Sequence, residues 1–555
     1  MKTRTLVVVT LWSLTLLVNR PRAARAADAP HAAEPAVWLQ VKSAHELVQL
    51  ADSTAKNFLP DPAYQQFQTE VLQHLDVSRV TGIDPQKPFG MYAIFGDGLL
   101  QGDLSKSIIA ILIPIKDEAT FLLWLKQSNL PAAKNGEQYA LAVPNFPLPV
   151  MLAFEKGYAR IFLTTATDHG LTLEPQQIIE ANETAAACLH VRFDRVPVDL
   201  KKTYLTNVTR ALEAQIERFS APPNSAANAP FDIERESAFA TTRLGLRWAA
   251  LAFNEGRELI VKADLNPKTG SLSAEFSMEA EKGTELATSI AGLPPTKNRF
   301  ASLVGPKDAM SMLVQAPLSV PEVRQFASKM LEQSIAEMVQ TQKTSGPDAI
   351  SQTGLEAAQA ALRSVKAGEM ELAVSLRGLD QEGNVMAVAA VTLKDTAALE
   401  TAFRTESVKH FDVKLDVEKV NQIGIHQITL PETEFDSAMR QFVGKSPICI
   451  AFAPNAVLCT IGTDAHKTLR EILKTNKLAP QPAPLLQEQI WSDGIANLFK
   501  SLHAPPEAFA FLDKLSHAQP STLMRFNVAG GEKLTVQAEL GLPALWIALP
   551  KAAAR

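Results

Sequence analysis

SIIAILIPIKDEATFLLWL (107–125) and VMAVAAVTLKDTAALETAF (385–403) decide how the rest of the chain reads. Each begins with an apolar run, reaches Lys-Asp, and continues with a helical pattern. Ile115-Lys116-Asp117 in the first falls on Leu393-Lys394-Asp395 in the second. An Asp at that point predicts an N-cap, because its carboxylate can accept the free N–H groups of a first helical turn. The apolar stripes Phe121, Trp124, Leu125 and Leu399, Ala402, Phe403 both follow the i, i+3, i+4 spacing of a helix packed on one side.

The order of elements then repeats. A strand ending in proline follows in each case, YALAVP (139–144) and HQITLP (426–431), with Tyr139, Leu141, Val143 and His426, Ile428, Leu430 alternating on a period of two. A hairpin comes next: VMLAF-EKGYA-RIFLTT (150–165) and ICIAF-APNA-VLCTI (448–461), with a shorter turn in the second. Both run into Thr-Asp, at Thr167-Asp168 and Thr463-Asp464, and the second leads into the amphipathic HKTLREILK with Asp464 as the expected N-cap.

Outside this repeat, WLQVK (38–42), CLHVR (188–192) and MLVQA (312–316) each precede a helical pattern, near 44–58, 198–218 and 319–340. RLGLRWAALAF (243–253), ELIVKADL (258–265) and SLSAEFSM (271–278) alternate and predict a strand meander. STLMRFNV (521–528) and KLTVQAEL (533–540) form its counterpart. Residues 20–34, 220–229, 341–354 and 478–486 read as flexible connections. The expected fold is α+β and internally duplicated, with largely antiparallel sheets and helices packed on one face. The expected halves are 36–300 and 301–555, with repeat units at about 107–170 and 385–475, after a linker at 27–35. Whether the halves share one continuous sheet stays open.

This unit of strand, Lys-Asp, helix, strand, hairpin and helix resembles repeats in exported bacterial proteins of a family catalogued only as a domain of unknown function. The resemblance covers 385–475 best and 107–170 less closely. It implies export and a duplicated α+β architecture. It implies no activity and no site residues.

Residues 1–26 predict a secretory signal peptide. Lys2 and Arg4 precede the apolar stretch 5–18, and Ala24-Arg25-Ala26 is an A-x-A cleavage pattern. The apolar stretch falls short of the ~20 residues that span a bilayer. Arg20, Arg22 and Arg25 crowd the cleavage point, so an uncleaved N-terminal anchor is the alternative. Cleavage near Ala26 would place the protein in the periplasm or outside the cell. It would also move the net charge from −5 to −10, because 1–26 hold five basic and no acidic residues. LPALWIALP (542–550) is too short to span, so no membrane span is expected in the mature chain. The 555 residues carry 54 basic and 59 acidic side chains, which excludes a basic nucleic-acid-binding domain. Three cysteines exclude a disulfide-dense scaffold.

Candidate chemistry is sparse. Ser53-Thr54-Ala55-Lys56 matches S-x-x-K and Lys268-Thr269-Gly270 matches K-T-G, the pair used by serine penicillin-recognising enzymes. Ser53 sits inside a helical pattern instead of opening it, and Lys268-Thr269-Gly270 sits in a turn, so both read as ordinary helix and turn. Asp168-His169 and Asp464-x-His466 recur at equivalent places and read as first-turn residues. No spacing among the ten histidines suits zinc, and no cofactor is implied. Cys449 and Cys459 lie on the two strands of one hairpin. If its loop centres on Pro454, they face each other and could form a disulfide. If Pro454-Asn455 are the two turn residues, Cys459 faces Ile450 instead. Cys188 alternates with His190 and Arg192 and reads as a free buried thiol. Asn182-Glu-Thr184 and Asn207-Val-Thr209 are glycosylation sequons. With 6 Trp and 5 Tyr in the chain, aromatic platforms for sugar binding are few.

The expectation is therefore an exported, non-catalytic binding or scaffolding module whose partner is another envelope or extracellular protein. The alternatives are a secreted hydrolase with a site assembled from dispersed residues, and a small-ligand or lipid carrier with a dry cavity between helices and sheet.

Overall fold

The computed structural model describes residues 34–541 except 59–60, 70–81, 102, 145, 147, 164–170, 221–244, 269, 294–295, 306–307, 346–350, 380–383, 411, 430–445, 476–477, 492–493 and 496–521. The expected signal peptide 1–26, most of the linker 27–35, Thr167-Asp168-His169, Thr269 and the apolar stretch 542–550 lie outside the described residues. So do most of 220–229 and the proline-ending tail of the strand at 426–431.

By its internal contacts the chain divides into two compact units. The first runs to Pro267 and includes 274–287, and the second begins at Thr288; the short pieces 57–60 and 268–273 group with the second.

In the first unit, β1 (Val37–Val41) leads into α1 (Ala44–Phe58) and α2 (Asp61–Phe67). Then come β2 (Phe89–Ile94), β3 (Ile108–Pro114), α3 (Glu118–Gln127), β4 (Ala132–Asn135), β5 (Gln138–Leu141), β6 (Val150–Glu155) and β7 (Tyr158–Leu163). After these follow α4 (Pro175–Ile178), β8 (Ala187–Arg192), α5 (Val198–Ser220), a helix α6 over 245–255, β9 (Gly256–Asn266) and β10 (Ser271–Ala280). The strands lie in the order β10-β9-β8-β1-β2-β3-β7-β6-β5-β4. From β9 to β4 every pairing is antiparallel.

The second unit holds β11 (Thr296–Asn298), β12 (Met310–Gln315), α7 (Pro321–Ser345), α8 (Gln352–Lys366), β13 (Glu371–Leu379), β14 (Val385–Val391) and α9 (Thr396–His410). It continues with β15 (Asp412–Val420), β16 (Ile423–Thr429), β17 (Ile448–Ala453), β18 (Ala456–Ile461), α10 (Ala465–Lys474), β19 (Gln481–Ala483), β20 (Leu486–Trp491), β21 (Thr522–Ala529) and β22 (Leu534–Gly541). Its main sheet is antiparallel throughout, in the order β22-β21-β20-β12-β13-β14-β18-β17-β16-β15. The α+β class thus holds.

Helices cover both faces of these sheets, which corrects the one-face expectation. Neighbouring residues of a strand point to opposite faces. In the second unit, Cys449, Ala451 and Leu458 pack with Leu469, Ile472 and Leu473 of α10. Ile450, Phe452 and Val457 pack with Leu399 and Phe403 of α9. In the first unit, Phe121 and Leu125 of α3 close one face over Leu152 and Ile161, and Ile178 of α4 closes the other against Leu112 and Phe162. A strand such as β7, with all six residues buried, needs cover on both sides.

Other local expectations also change. Asp117 caps α3 as expected, its Oδ1 accepting the Thr120 N–H at 2.8 Å. Asp395 does not cap α9: its φ is +58°, outside the extended range a cap needs, and its carboxylate meets Arg363 instead. Asp464 stands at the N-cap of α10 but makes no side-chain cap bond. The stretch expected as a strand at 243–253 is a helix wherever it is described. Its alternation also satisfies helical spacing, and Phe253 packs on Tyr204 of α5 and on Phe193. Gly256 then follows at once, where a Cβ would collide with the Ala252 carbonyl. Both central hairpins turn on two residues, Lys156-Gly157 and Pro454-Asn455, so neither turn is the shorter. Positive φ at Lys156 and Gly157 is the I′ signature, and Pro followed by Asn455 at +59° is that of type II. The 478–486 stretch is partly a strand, β19 pairing with β11. Within 341–354, the described residues 341–345 and 352–354 are helical, because α7 runs to Ser345 and α8 starts at Gln352. Among the described residues, no helix is long and apolar enough to cross a membrane.

Candidate functional site

Among the described residues, three groups of polar side chains bear on function, one in the first unit and two in the second.

In the first unit, β8 places Cys188 and His190 on one face. The thiol sulfur lies 3.2 Å from His190 Nε2, and His190 Nδ1 lies 3.3 Å from Glu258 Oε1. Trp38 of β1 stacks on the imidazole, with centroids 4.3 Å apart and planes 8° apart. A nucleophile, a base and a carboxylate that orients the base stand in the geometry of a hydrolytic triad. The reactivity is missing. Cys188 is 2% exposed. Burial, and next the Glu183 carboxylate, push its thiol up to about 12. Glu183 itself is held down at about 2: burial opposes its ionisation, but the Ala185 N–H, the Lys262 ammonium and the Cys188 thiol outweigh it. Lys262 Nζ sits 2.9 Å from its carboxylate. A catalytic cysteine needs an accessible thiolate, whereas this one is a buried, protonated thiol. Cys188 is free, as expected. Glu258, which faces His190 from β9, had no signal in the sequence, because long-range strand pairing brings it there; Glu183 lies only five residues before Cys188, ahead of β8.

In the second unit, α9 and the β15–β16 hairpin build the densest ionisable cluster. Arg404 grips Asp416 with two bonds, Nη1 to Oδ2 at 2.9 Å and Nη2 to Oδ1 at 2.7 Å. It also donates to Glu400 Oε1 from Nε at 2.9 Å and from Nη2 at 2.7 Å. His426, wholly buried, receives the Asp416 backbone N–H at Nδ1, 3.2 Å away, and its Nε2 faces Glu400 Oε1 at 3.3 Å. Gly424 makes this possible, since a Cβ there would collide with Asp416 Oδ1. Arg404 holds the Asp416 carboxyl below its usual range. The same contacts raise the Arg404 guanidinium further. Burial, then the Arg404 charge, hold His426 below the ordinary histidine range against the opposing pull of Glu400 and Asp416. Glu400, Asp416 and His426 offer three ligand atoms close enough for a cation. The guanidinium already bridges both carboxylates, however, and the backbone already occupies Nδ1. The cluster is a closed network that carries its own cation.

The third constellation lies on the β12–β20–β21 face. Gln315 Oε1, Gln489 Nε2, Trp491 Nε1 and Asn527 Oδ1 are buried there without a partner among the described residues. They do not converge. Gln489 stands opposite Ser311 and Gln487 opposite Asn527. Gln315 stands beside Leu485, so at ~3.4 Å per residue it lies ~20 Å along β20 from Trp491.

The remaining candidates resolve simply. Ser53 lies inside α1 and donates to the Leu50 carbonyl at 3.1 Å. Lys268 and Gly270 lie in the turn between β9 and β10, as expected. His466 pairs with Glu418 at 3.2 Å. Asn182 is exposed in a turn and Asn207 is exposed on α5. Cys449 and Cys459 take the second of the two registers. Cys449 stands opposite Thr460 and Cys459 opposite Ile450, so the two point to opposite faces and both are free thiols. The disulfide that a loop centred on Pro454 would allow is therefore absent. Beneath α3, Trp124, Leu125, Leu141, Val150 and Ile161 line an apolar cavity of about 20 Å³. A small-molecule pocket needs roughly 300–1,000 Å³.

No family model, no curated protein and no solved structure matches this chain.

Proposed function

We propose that the protein is an exported, non-catalytic binding or scaffolding module, built from two copies of one ten-stranded unit, whose partner is another envelope or extracellular protein. The observation that carries this reading is the coincidence of the two strand orders. Each starts with a C-terminal hairpin, β9–β10 or β21–β22. Each passes through a strand inserted from the start of its unit, β1 or β12. Each ends on the strand after the Lys-Asp helix, β4 or β15. Ten strands agree in sequence order and in neighbours, and helices stand between the first and second, the third and fourth, and the seventh and eighth strands of both units, which is economically explained by duplication. Two copies of a surface can grip two partners, or two places on one.

The chemistry supports the same side. The Cys188 thiol of the triad-shaped group is buried and protonated, the carboxylate cluster is closed by its own arginine, and the cavity beneath α3 is too small for a lipid. Export rests on residues 1–26. The hydrolase reading has one observation in its favour, the Cys188–His190–Glu258 geometry, and the thiol chemistry discussed below tests it.

The deciding experiment is in-cell crosslinking of the tagged, full-length chain, with mass spectrometry of what it captures. A reproducible envelope partner lost on deleting either half is the expected result. A free monomer with no partner above background overturns the proposal.

A further inference from the structure

We propose that His426 is an acid-operated latch on the edge strand β15: the neutral imidazole holds the bulge at 415–417 shut, and its protonation releases that strand. Among the described strands, β15 pairs only with β16. Lys414 faces Gln427 and Glu418 faces Ile425, so three residues, 415–417, stand against the single His426. Asp416 adopts a φ of +50° within this bulge, and Val417 is exposed. The bulge takes the Asp416 N–H out of the ladder. Its acceptor is an imidazole nitrogen where a strand would ordinarily supply a carbonyl.

An imidazole nitrogen accepts only while unprotonated. Protonation turns Nδ1 into a donor aimed at another donor, and one of them has to move. The ring is wholly buried and packs against both Phe403 and Phe452, with centroids 5.6 and 5.9 Å away. Among the described strands β15 is held by β16 alone, so it is the part that yields.

The groups facing the imidazole set where this happens. From α9 come Glu400 and Arg404, and from β15 comes Asp416, with Lys419 4.0 Å from the Asp416 carboxylate. β17 contributes only Ile450 and Phe452. Glu418 of β15 is engaged with His466 and Arg470 of α10. Burial and Arg404 outweigh the two carboxylates, so the latch is shut at neutral pH and opens only in acid.

The test is amide hydrogen exchange of the full-length protein from pH 7 down to pH 4, corrected for intrinsic rates, together with NMR titration of labelled histidine. The expected result is exchange at 415–418 at least tenfold faster at the acid end, with a midpoint matching the titration of His426 and with the β17–β18 ladder still protected. The variant His426→Asn puts an amide oxygen near the Nδ1 position and cannot titrate, so its exchange over β15 should not depend on pH in this range. Unchanged protection of β15 through the titration of His426 overturns the proposal. So does a variant that opens with the wild-type midpoint. If the variant does not fold, the wild-type midpoints decide alone, and a mismatch between them is fatal.

Discussion

At Cys188 a single residue separates shape from chemistry. The sulfur has a histidine beside it and a glutamate behind that histidine, yet the thiol is buried and pushed up to about 12. It should resist iodoacetamide at pH 8 in the native protein and react only after unfolding. Rapid native alkylation would restore the hydrolase reading. Glu183 provides a companion test. Its side chain is 7% exposed, and its carboxyl sits at about 2 against an ordinary 4.5. The folded state therefore binds this proton less readily than the unfolded chain. The resulting stability is complete above about pH 4.5 and drains away as pH falls toward 2. Glu183→Gln should cost about 1–3 kcal/mol at neutral pH. It should also flatten the acid limb, which urea midpoints measured against pH will show. The glutamate behind His190 was not readable from the sequence: Glu258 stands 68 positions from His190 and arrives by strand pairing, and local pattern carries no trace of such contacts.

At the scale of elements, the two Lys-Asp junctions look alike in sequence and differ in structure. Asp117 is extended and bonds Thr120, whereas Asp395 is left-handed. Asp117→Ala should lose ~1 kcal/mol with the cap. Asp395→Gly should be neutral or stabilising by up to ~1 kcal/mol, because only glycine adopts positive φ without a steric cost. Thermal or urea unfolding of the two variants will separate these cases, and equal losses would contradict the distinction. Gly424→Ala belongs to the same scale. Its methyl would displace the Asp416 carboxylate, so the variant should lose the Arg404 clamp and ~1–3 kcal/mol. The apolar stripes of α3 and α9 were readable because 3.6-residue spacing is local. The stretch 245–255 reads as a strand in the sequence because small apolar residues such as Ala249, Ala250 and Ala252 fit both periods, and its contacts with α5 make it a helix. The cysteine register turned on whether Pro454 or the Pro454-Asn455 pair centred the loop, which composition alone leaves open.

At the scale of the molecule, each unit holds its own buried clusters, so unfolding should not be two-state. Calorimetry should resolve two transitions, and a calorimetric enthalpy equal to the van't Hoff value would contradict this. The order of strand, Lys-Asp, helix, strand and hairpin was readable in both stretches because these elements are adjacent in sequence. The insertion of β1 between β2 and β8, and of β12 between β13 and β20, was not, because nothing in either strand names its distant neighbour.

That insertion also governs timing. The β6–β7 and β17–β18 hairpins close over two residues and can form in microseconds. β1 instead awaits β8, with Val37 meeting Val191, and β12 awaits β20, with Ser311 meeting Gln489. A chain made from its N-terminus at ~5–20 residues per second leaves the first strand of each unit half-paired for roughly ten to thirty seconds. For that interval each nascent unit is a sheet with a missing neighbour, and a chaperone or a translocation channel that keeps strands apart would find its substrate there.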